Sequence, residues 1–221
     1  MLSGISRFDV YMIMPGNSLS EYRLQNWVEP LDPYLSNESL LWPEFDKKDF
    51  FPVALKAGSR EGFQFSIPLL LETSILAYNK ALFKRYNLKV PETMEELEDT
   101  ARKIITLSNG RIYGITLRGN RAAATSQWSD FLHSFGGNWL TVQGNFAIDS
   151  DASIASLEFY GRLVRKYGPP DATRNSWYES VSLFMQGKAG MIFDSNVFRS
   201  HYEHPDHSRI HQEVGYTMIP R

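Results

Sequence analysis

An α/β fold is what this sequence predicts, and three observations predict it. Short apolar runs of strand length alternate along the chain with longer segments of helical period. Two of the helical segments open on a hydroxyl residue followed three positions later by glutamate, "TMEE" and "SWYE", the signature of a capped helix start. Glycines punctuate the ends of such segments, at "FGG" and "QGK". Strands separated by helices need crossovers, so mainly parallel pairing is expected.

The elements follow in order. "FDVYMIM" (8–14) reads as a short buried strand ended by Pro15-Gly16. "NWVEPLDPYL" carries two prolines and reads as a surface loop leading to a short turn. "DFFPVALKAG" suggests a short helix closed by Gly58. Residues 61–79 hold two extended pieces hinged near Pro68, and a helix follows from Lys80. The clearest helix lies in 90–110, with Thr93 as cap and Met94, Leu97, Ala101, Ile104 and Ile105 as its apolar face. "RIYGITLRG" (111–119) is then a strand, and 126–137 a helix stopped by Gly136 and Gly137. A second strong helix starts near Ser150, with Ile154, Leu157, Tyr160, Leu163, Val164 and Tyr167 as its apolar positions. Ser176 and Glu179 open another helix, Gly187 ends it, and strands follow at "AGMIF" and "EVGYTMIP". The chain opens almost on a strand and ends just after one, so the fold reads as incomplete at both ends.

Composition narrows the function. Among 221 residues, 23 basic side chains face 25 acidic ones, for a net charge of −2. A general nucleic-acid binder would show a basic excess. Cysteine is absent, which removes disulfides, thiolate metal sites and a thiol nucleophile. The first residues lack the basic start and apolar stretch of a signal peptide, and no apolar run is long enough to span a bilayer. Aromatic residues make up 14% of the chain, enough for a core and a binding surface.

No nucleophile elbow, zinc-protease motif, phosphate loop or dinucleotide fingerprint is present. Four histidines crowd into "HYEHPDHSRIH" with metal-like proximity at His201, His204 and His207, but Pro205 breaks any helical face, and a solvated loop is the expected reading. Glu72, Asp130 and Asp194 lie near strand ends or helix starts. A glycosidase needs two such carboxylates across a sugar. Carboxylates at strand ends also hold sugar hydroxyls without reacting.

At "IPLLLETSILAYNKALFKRYNLKVPETMEELEDTARKI" the chain resembles the bacterial extracellular solute-binding proteins of sugar ABC importers, the maltose-binding-protein-like family. Pro68, Tyr78-Asn79-Lys80, Leu82-Phe83, Pro91-Glu92-Thr93 and Glu95-Glu96-Leu97 carry the likeness. Ala81 and Met94 depart from the family's usual Asp and Trp. "FLHSFGGNWLTVQGNFAIDSDASIASLEFYGRLV", "SWYESVSLFMQGKAGMIFDSN" and the upstream "FDVYMIM…NWVEPLDPYL" resemble further family segments in the family's order, so the likeness covers nearly the whole chain.

The resemblance implies a two-lobe type II periplasmic binding protein-like fold, of which this chain is a central fragment. Residues 1–70 would be an incomplete first lobe, 71–74 a hinge crossing and 75–221 most of the second lobe. It implies a sugar or polyol ligand held in a cleft between the lobes, delivery to ABC permease subunits, and a periplasmic or extracellular location. No cofactor, metal, nucleic-acid partner or membrane insertion is expected. Glu72 matches a ligand-contacting glutamate of the family, with an inter-lobe salt bridge as its other reading and Thr73 as a weaker neighbour. Ser126, Gln127 and Trp128 fall where the family places a helix start facing the cleft. Trp128 and Trp177 are candidates to stack on a sugar, against core packing. Asp194 and Ser195 follow a strand at its ligand-facing end, where helix capping is the competing duty of an aspartate. Met14 would line the first lobe's side. Two alternatives stay open: a carbohydrate-active hydrolase using Glu72 and Asp194, and a truncated chain with no binding activity of its own.

Overall fold

The computed structural model describes residues 8–220. The chain divides into two compact units, Met1–Leu71 and Glu72–Arg221.

The first unit carries three helices among its described residues: α1 (Pro15–Leu24), α2 (Asp32–Leu35) and α3 (Pro52–Ala57), each with proline in its first turn. That position suits proline because its missing N–H has no helical partner there anyway. Pro15 therefore starts a helix rather than ending a strand. Residues 8–14 form no strand, and Phe8, Val10, Met12 and Met14 are all exposed. Apolar alternation supplies a face, but a strand also needs a hydrogen-bonded neighbour.

Strands β1 (Ser59–Arg60) and β2 (Phe63–Gln64) form a hairpin across Glu61-Gly62. Both turn residues have positive φ, 53° and 87°, as a tight two-residue hairpin requires. Gln64 ties this unit together. Its amide donates to the Leu55 and Ser66 carbonyls at 3.1 and 2.6 Å, and its backbone N–H donates to Asp32 Oδ2 at 2.9 Å. Among the described residues of this unit Leu19 is the one buried hydrophobic side chain, so they rest on polar contacts more than on a core.

The second unit is a four-stranded sheet with helices on both faces. Its strands are β3 (Ser74–Asn79), β4 (Tyr113–Thr116), β5 (Ala189–Ser195) and β6 (Val214–Thr217), in the order β4-β5-β3-β6. β4 and β5 pair in parallel, whereas β3 is antiparallel to both β5 and β6. Three strands therefore run one way and β3 alone is reversed, which corrects the expectation of mainly parallel pairing. A strand's apolar pattern reads the same in both directions, so composition cannot reveal the reversal.

β5 is buried along its whole length, as the central strand of a covered sheet should be. Its side chains alternate between two cores. Met191 and Phe193 join Leu76, Ile115, Leu117, Phe131 and Phe159 on one face; Ile192 joins Ala77, Val181, Phe184 and Tyr202 on the other. The first face is covered by α5 (Met94–Leu107), α6 (Arg121–Ser134) and α7 (Asp151–Arg162). α7 runs into a wider helical turn over Leu163–Tyr167. The second face is covered by α8 (Trp177–Met185) and α9 (Arg199–Tyr202), while α4 (Lys80–Arg85) links β3 to α5.

Caps behave largely as their chemistry dictates. Thr93 Oγ1 accepts from Glu96 N–H at 3.2 Å, and Ser176 and Glu179 make the reciprocal box at α8. Glu96 reaches one residue further back than expected and accepts from Glu92 N–H at 2.8 Å. α6 begins at Arg121, five residues before the predicted start. On α7, Ile154 and Leu157 are exposed, whereas Phe159, Ser153 and Ser156 face inward with Tyr160. The small serines allow α6 and α7 to approach closely, so the packed face is set by size as much as by hydropathy.

Candidate functional site

β4, β5 and β6 end at the edge of the sheet where β3 begins. Ser74 pairs with Ser195 across that edge, and Ile75 with Asp194. Ligands of open α/β sheets sit beyond such carboxyl ends. Four segments meet there: 72–74 leading into β3, 117–120 after β4, 194–196 at the end of β5, and the start of α8. The last is held close because Asn175 C=O accepts from Gly119 and Asn120 N–H at 2.9 and 3.0 Å, and Ser180 Oγ donates to Leu117 C=O at 3.0 Å.

The chemical centre of this edge is an ion pair that sequence reasoning missed. Arg118 grips Asp194 with two parallel bonds, Nε to Oδ2 at 3.0 Å and Nη2 to Oδ1. Asp194 Oδ1 also accepts from Ser195 N–H at 2.7 Å. The Asp194 side chain is 1% exposed and that of Arg118 is 18% exposed. Burial disfavours the guanidinium's charge, but the bonds and charge of Asp194 outweigh it, so the Arg118 pKa lies above its ordinary value. Asp194 is thus neither a helix cap nor open to a ligand. Its oxygens are spent inside the protein.

Gln127 and Trp128 are corrected in the same way. Gln127 is buried: its Oε1 accepts from Arg118 N–H at 2.8 Å and its Nε2 donates to Phe193 C=O at 2.6 Å. Tyr160's hydroxyl lies against the Arg118 carbonyl and 3.0 Å from Gln127 Oε1. These residues hold the Arg118 backbone in place. Trp128 donates from Nε1 to Ser156 Oγ at 3.0 Å and packs edge-on against Trp139, with ring centroids 5.2 Å apart. Its indole belongs to the core. Ser126, immediately before Gln127 on α6, is exposed.

Ser195 is buried and caps the turn after β5, accepting from Val197 N–H at 3.3 Å. Thr73 is exposed in its side chain, but its backbone is clasped by Asn196, which accepts from Thr73 N–H at 3.0 Å and donates to Thr73 C=O at 2.9 Å. Glu72, one residue earlier, is exposed, and its carboxylate makes no hydrogen bond or ion pair among the described residues. Trp177 is 43% exposed at the first turn of α8. Its ring lies on Phe198 at 5.3 Å and 11°, and edge-on to Tyr178 at 5.7 Å. Met14 lies exposed in the first unit.

Beside this edge, a cavity of about 420 Å³ is lined by Thr73, Ser74, Asp130, His133 and Ile219 among others. Ser74 Oγ donates to Asp130 Oδ2 at 2.7 Å. Burial pushes the Asp130 carboxyl's pKa above its ordinary value, despite the Ser74 bond and the charges of His133 and Arg118. A carboxyl whose proton affinity rises on folding supports the folded state while protonated. That support is lost as pH climbs through the raised folded value. Asp130→Asn keeps the acceptor for Ser74 and removes the charge. It is expected to raise the melting temperature at pH 7, by an amount that shrinks as pH falls toward the ordinary aspartate value of about 3.9. Melting curves by circular dichroism across that range check this, and a gain that grows on acidification would contradict it.

His204 and His207 stack at 4.3 Å, His204 Nδ1 accepts from Asp206 N–H, and among the described residues no three ligating side chains converge.

A family model described as bacterial extracellular solute-binding protein matches residues 1–202. The chain belongs to this family. The mannitol-binding protein of Pseudomonas aeruginosa is a bacterial relative, 27% identical over 201 residues, which cover 89% of this chain and 44% of that protein. Two solved solute-binding proteins of ABC transporters share the fold. One from Agrobacterium vitis, with bound D-mannitol, is 31% identical with a TM-score of 0.78, over 90% of this chain and 48% of that one. One from Agrobacterium radiobacter, in complex with ribitol, is 30% identical with a TM-score of 0.81, over 90% and 49%. The fold is that of the type II periplasmic binding proteins, and the chain spans about half the length of the solute-binding relatives it matches.

Proposed function

We propose that this chain belongs to the solute-binding component of an ABC importer that takes up a sugar or polyol outside the cytoplasmic membrane, in the periplasm or at the cell surface, and hands it to the permease. Residues 1–70 and 75–221 would belong to its two lobes, with the crossing at 71–74 as hinge. The observation that carries this reading is the open polar edge of β4 and β5: exposed Glu72, the Arg118–Asp194 pair and the exposed Trp177 indole. Likeness to proteins that hold mannitol and ribitol supports the ligand class.

Each group has a distinct task. Glu72 accepts hydrogen bonds from ligand hydroxyls, Thr73 and Ser195 stand behind it, and Trp177 packs on ligand C–H groups with its ring fixed from below by Phe198. Asp194 acts through Arg118, and no bond is made or broken. The hydrolase reading loses its second carboxylate, because Asp194 is sealed in an ion pair.

A thermal-shift screen of the complete protein against sugars and polyols tests the class, and stabilisation by at least one polyol or sugar is expected. No shift with any of them would count against it. Trp177→Ala is expected to weaken binding by about 1–3 kcal/mol, with a smaller loss of free-protein stability of about 0.5–1.5 kcal/mol from the broken stack on Phe198.

A further inference from the structure

We propose that Arg118 and Glu72 form a donor–acceptor pair that reads adjacent hydroxyls of a neutral ligand and turns away its carboxylated counterpart. The inference rests on the binding function proposed above and names its specificity.

Asp194 cannot meet a ligand, because its side chain is 1% exposed and both oxygens are engaged. Arg118 can. Two of its nitrogens face Asp194, whereas Nη1 makes no hydrogen bond among the described residues and is not among the sealed, unpartnered atoms. This nitrogen is therefore not sealed from solvent, and the Arg118 side chain as a whole is 18% exposed just beyond the end of β4. Glu72 leads into β3, which lies across β5 from β4, and the Asn196 clasp fixes the backbone of its neighbour Thr73. Guanidinium only donates and carboxylate only accepts. A diol satisfies both at once, one hydroxyl accepting from Nη1 and its neighbour donating to Glu72.

An arginine in a binding edge usually invites an anion. Here the charges argue otherwise. Asp194 already neutralises Arg118, and Glu72 adds a further negative charge at this edge. A ligand carboxylate placed beside Glu72 meets like-charge repulsion that lowers affinity on the order of tenfold or more in a partly exposed site. A neutral hydroxyl meets none.

Calorimetric titration of the complete protein with D-mannitol and with its aldonate, D-mannonate, tests the proposal. Wild type is expected to prefer mannitol by on the order of tenfold or more. Glu72→Gln should remove most of that preference without shifting the melting temperature, since Glu72 has no structural partner among the described residues. Arg118→Lys keeps a charge opposite Asp194 but gives up the free Nη1; it should weaken mannitol binding about tenfold and preserve the preference for the neutral ligand. If the preferred ligand is a ring sugar, the same comparison uses that sugar and its uronate. Equal or tighter binding of the acid by wild type overturns the proposal, and so does a Glu72→Gln protein that keeps the full preference. Absence of binding by any polyol or sugar overturns the underlying function, and this inference with it.

Discussion

Arg118→Met is expected to destabilise the folded protein by about 3–5 kcal/mol. The substitution leaves the Asp194 carboxylate, 1% exposed, with only the Ser195 N–H as partner. An uncompensated charge in that position costs far more than the ion pair itself contributes, because the pair has already given up its hydration. The double variant Arg118→Met/Asp194→Leu removes both charges and should recover most of the loss. Urea denaturation of the three proteins measures this directly. A loss below about 1 kcal/mol in the single variant would show the pair to be solvent-screened, contrary to its geometry.

Phe131→Ala should cost a comparable amount, about 3–5 kcal/mol. Phe131 is fully buried on α6 and meets Tyr160 at 5.1 Å and Phe193 at 5.2 Å, both edge-on, with Phe159 at 6.2 Å. Removing it opens a cavity beside Tyr160, whose hydroxyl donates to the Arg118 carbonyl, and beside Phe193, whose carbonyl accepts from Gln127. Leu157→Ala offers the contrast. Its side chain is 54% exposed, so a change within about 0.5 kcal/mol is expected. Equal losses at the two positions would mean that the packed faces of α6 and α7 are wrongly assigned.

How far the sequence could be read depends on which forces act locally. Thr93 and Ser176 were legible as helix starts because a hydroxyl satisfies a free N–H wherever a helix begins. The strand direction of β3 was not legible, since direction is settled by neighbours distant in the chain. Ile154 and Leu157 look like core positions by hydropathy, yet Ser153 and Ser156 take the inner face because α6 packs close. At the proposed edge, Glu72 and Asp194 stand out in the sequence as carboxylates beside apolar strands. Arg118 was hidden because "RIYGITLRG" reads as one strand, whereas the regular strand ends at Thr116. An arginine one step beyond a strand's carboxyl end, with an aspartate at the end of a later strand, is the signal that could have found the pair. The inward placement of Gln127 and Trp128 is not legible in the sequence, because a polar and an aromatic residue near a helix start look alike whether they face ligand or support it.

The central claim is that the carboxyl edge of β4 and β5, with Glu72 at its margin, binds a sugar or polyol. The most direct measurement is calorimetric titration of the complete protein and its Glu72→Ala variant with the polyol or sugar that stabilises it best. Saturable binding by wild type, weakened by about 1–3 kcal/mol in the variant at unchanged melting temperature, is the predicted result. Identical affinities in the two proteins would contradict it.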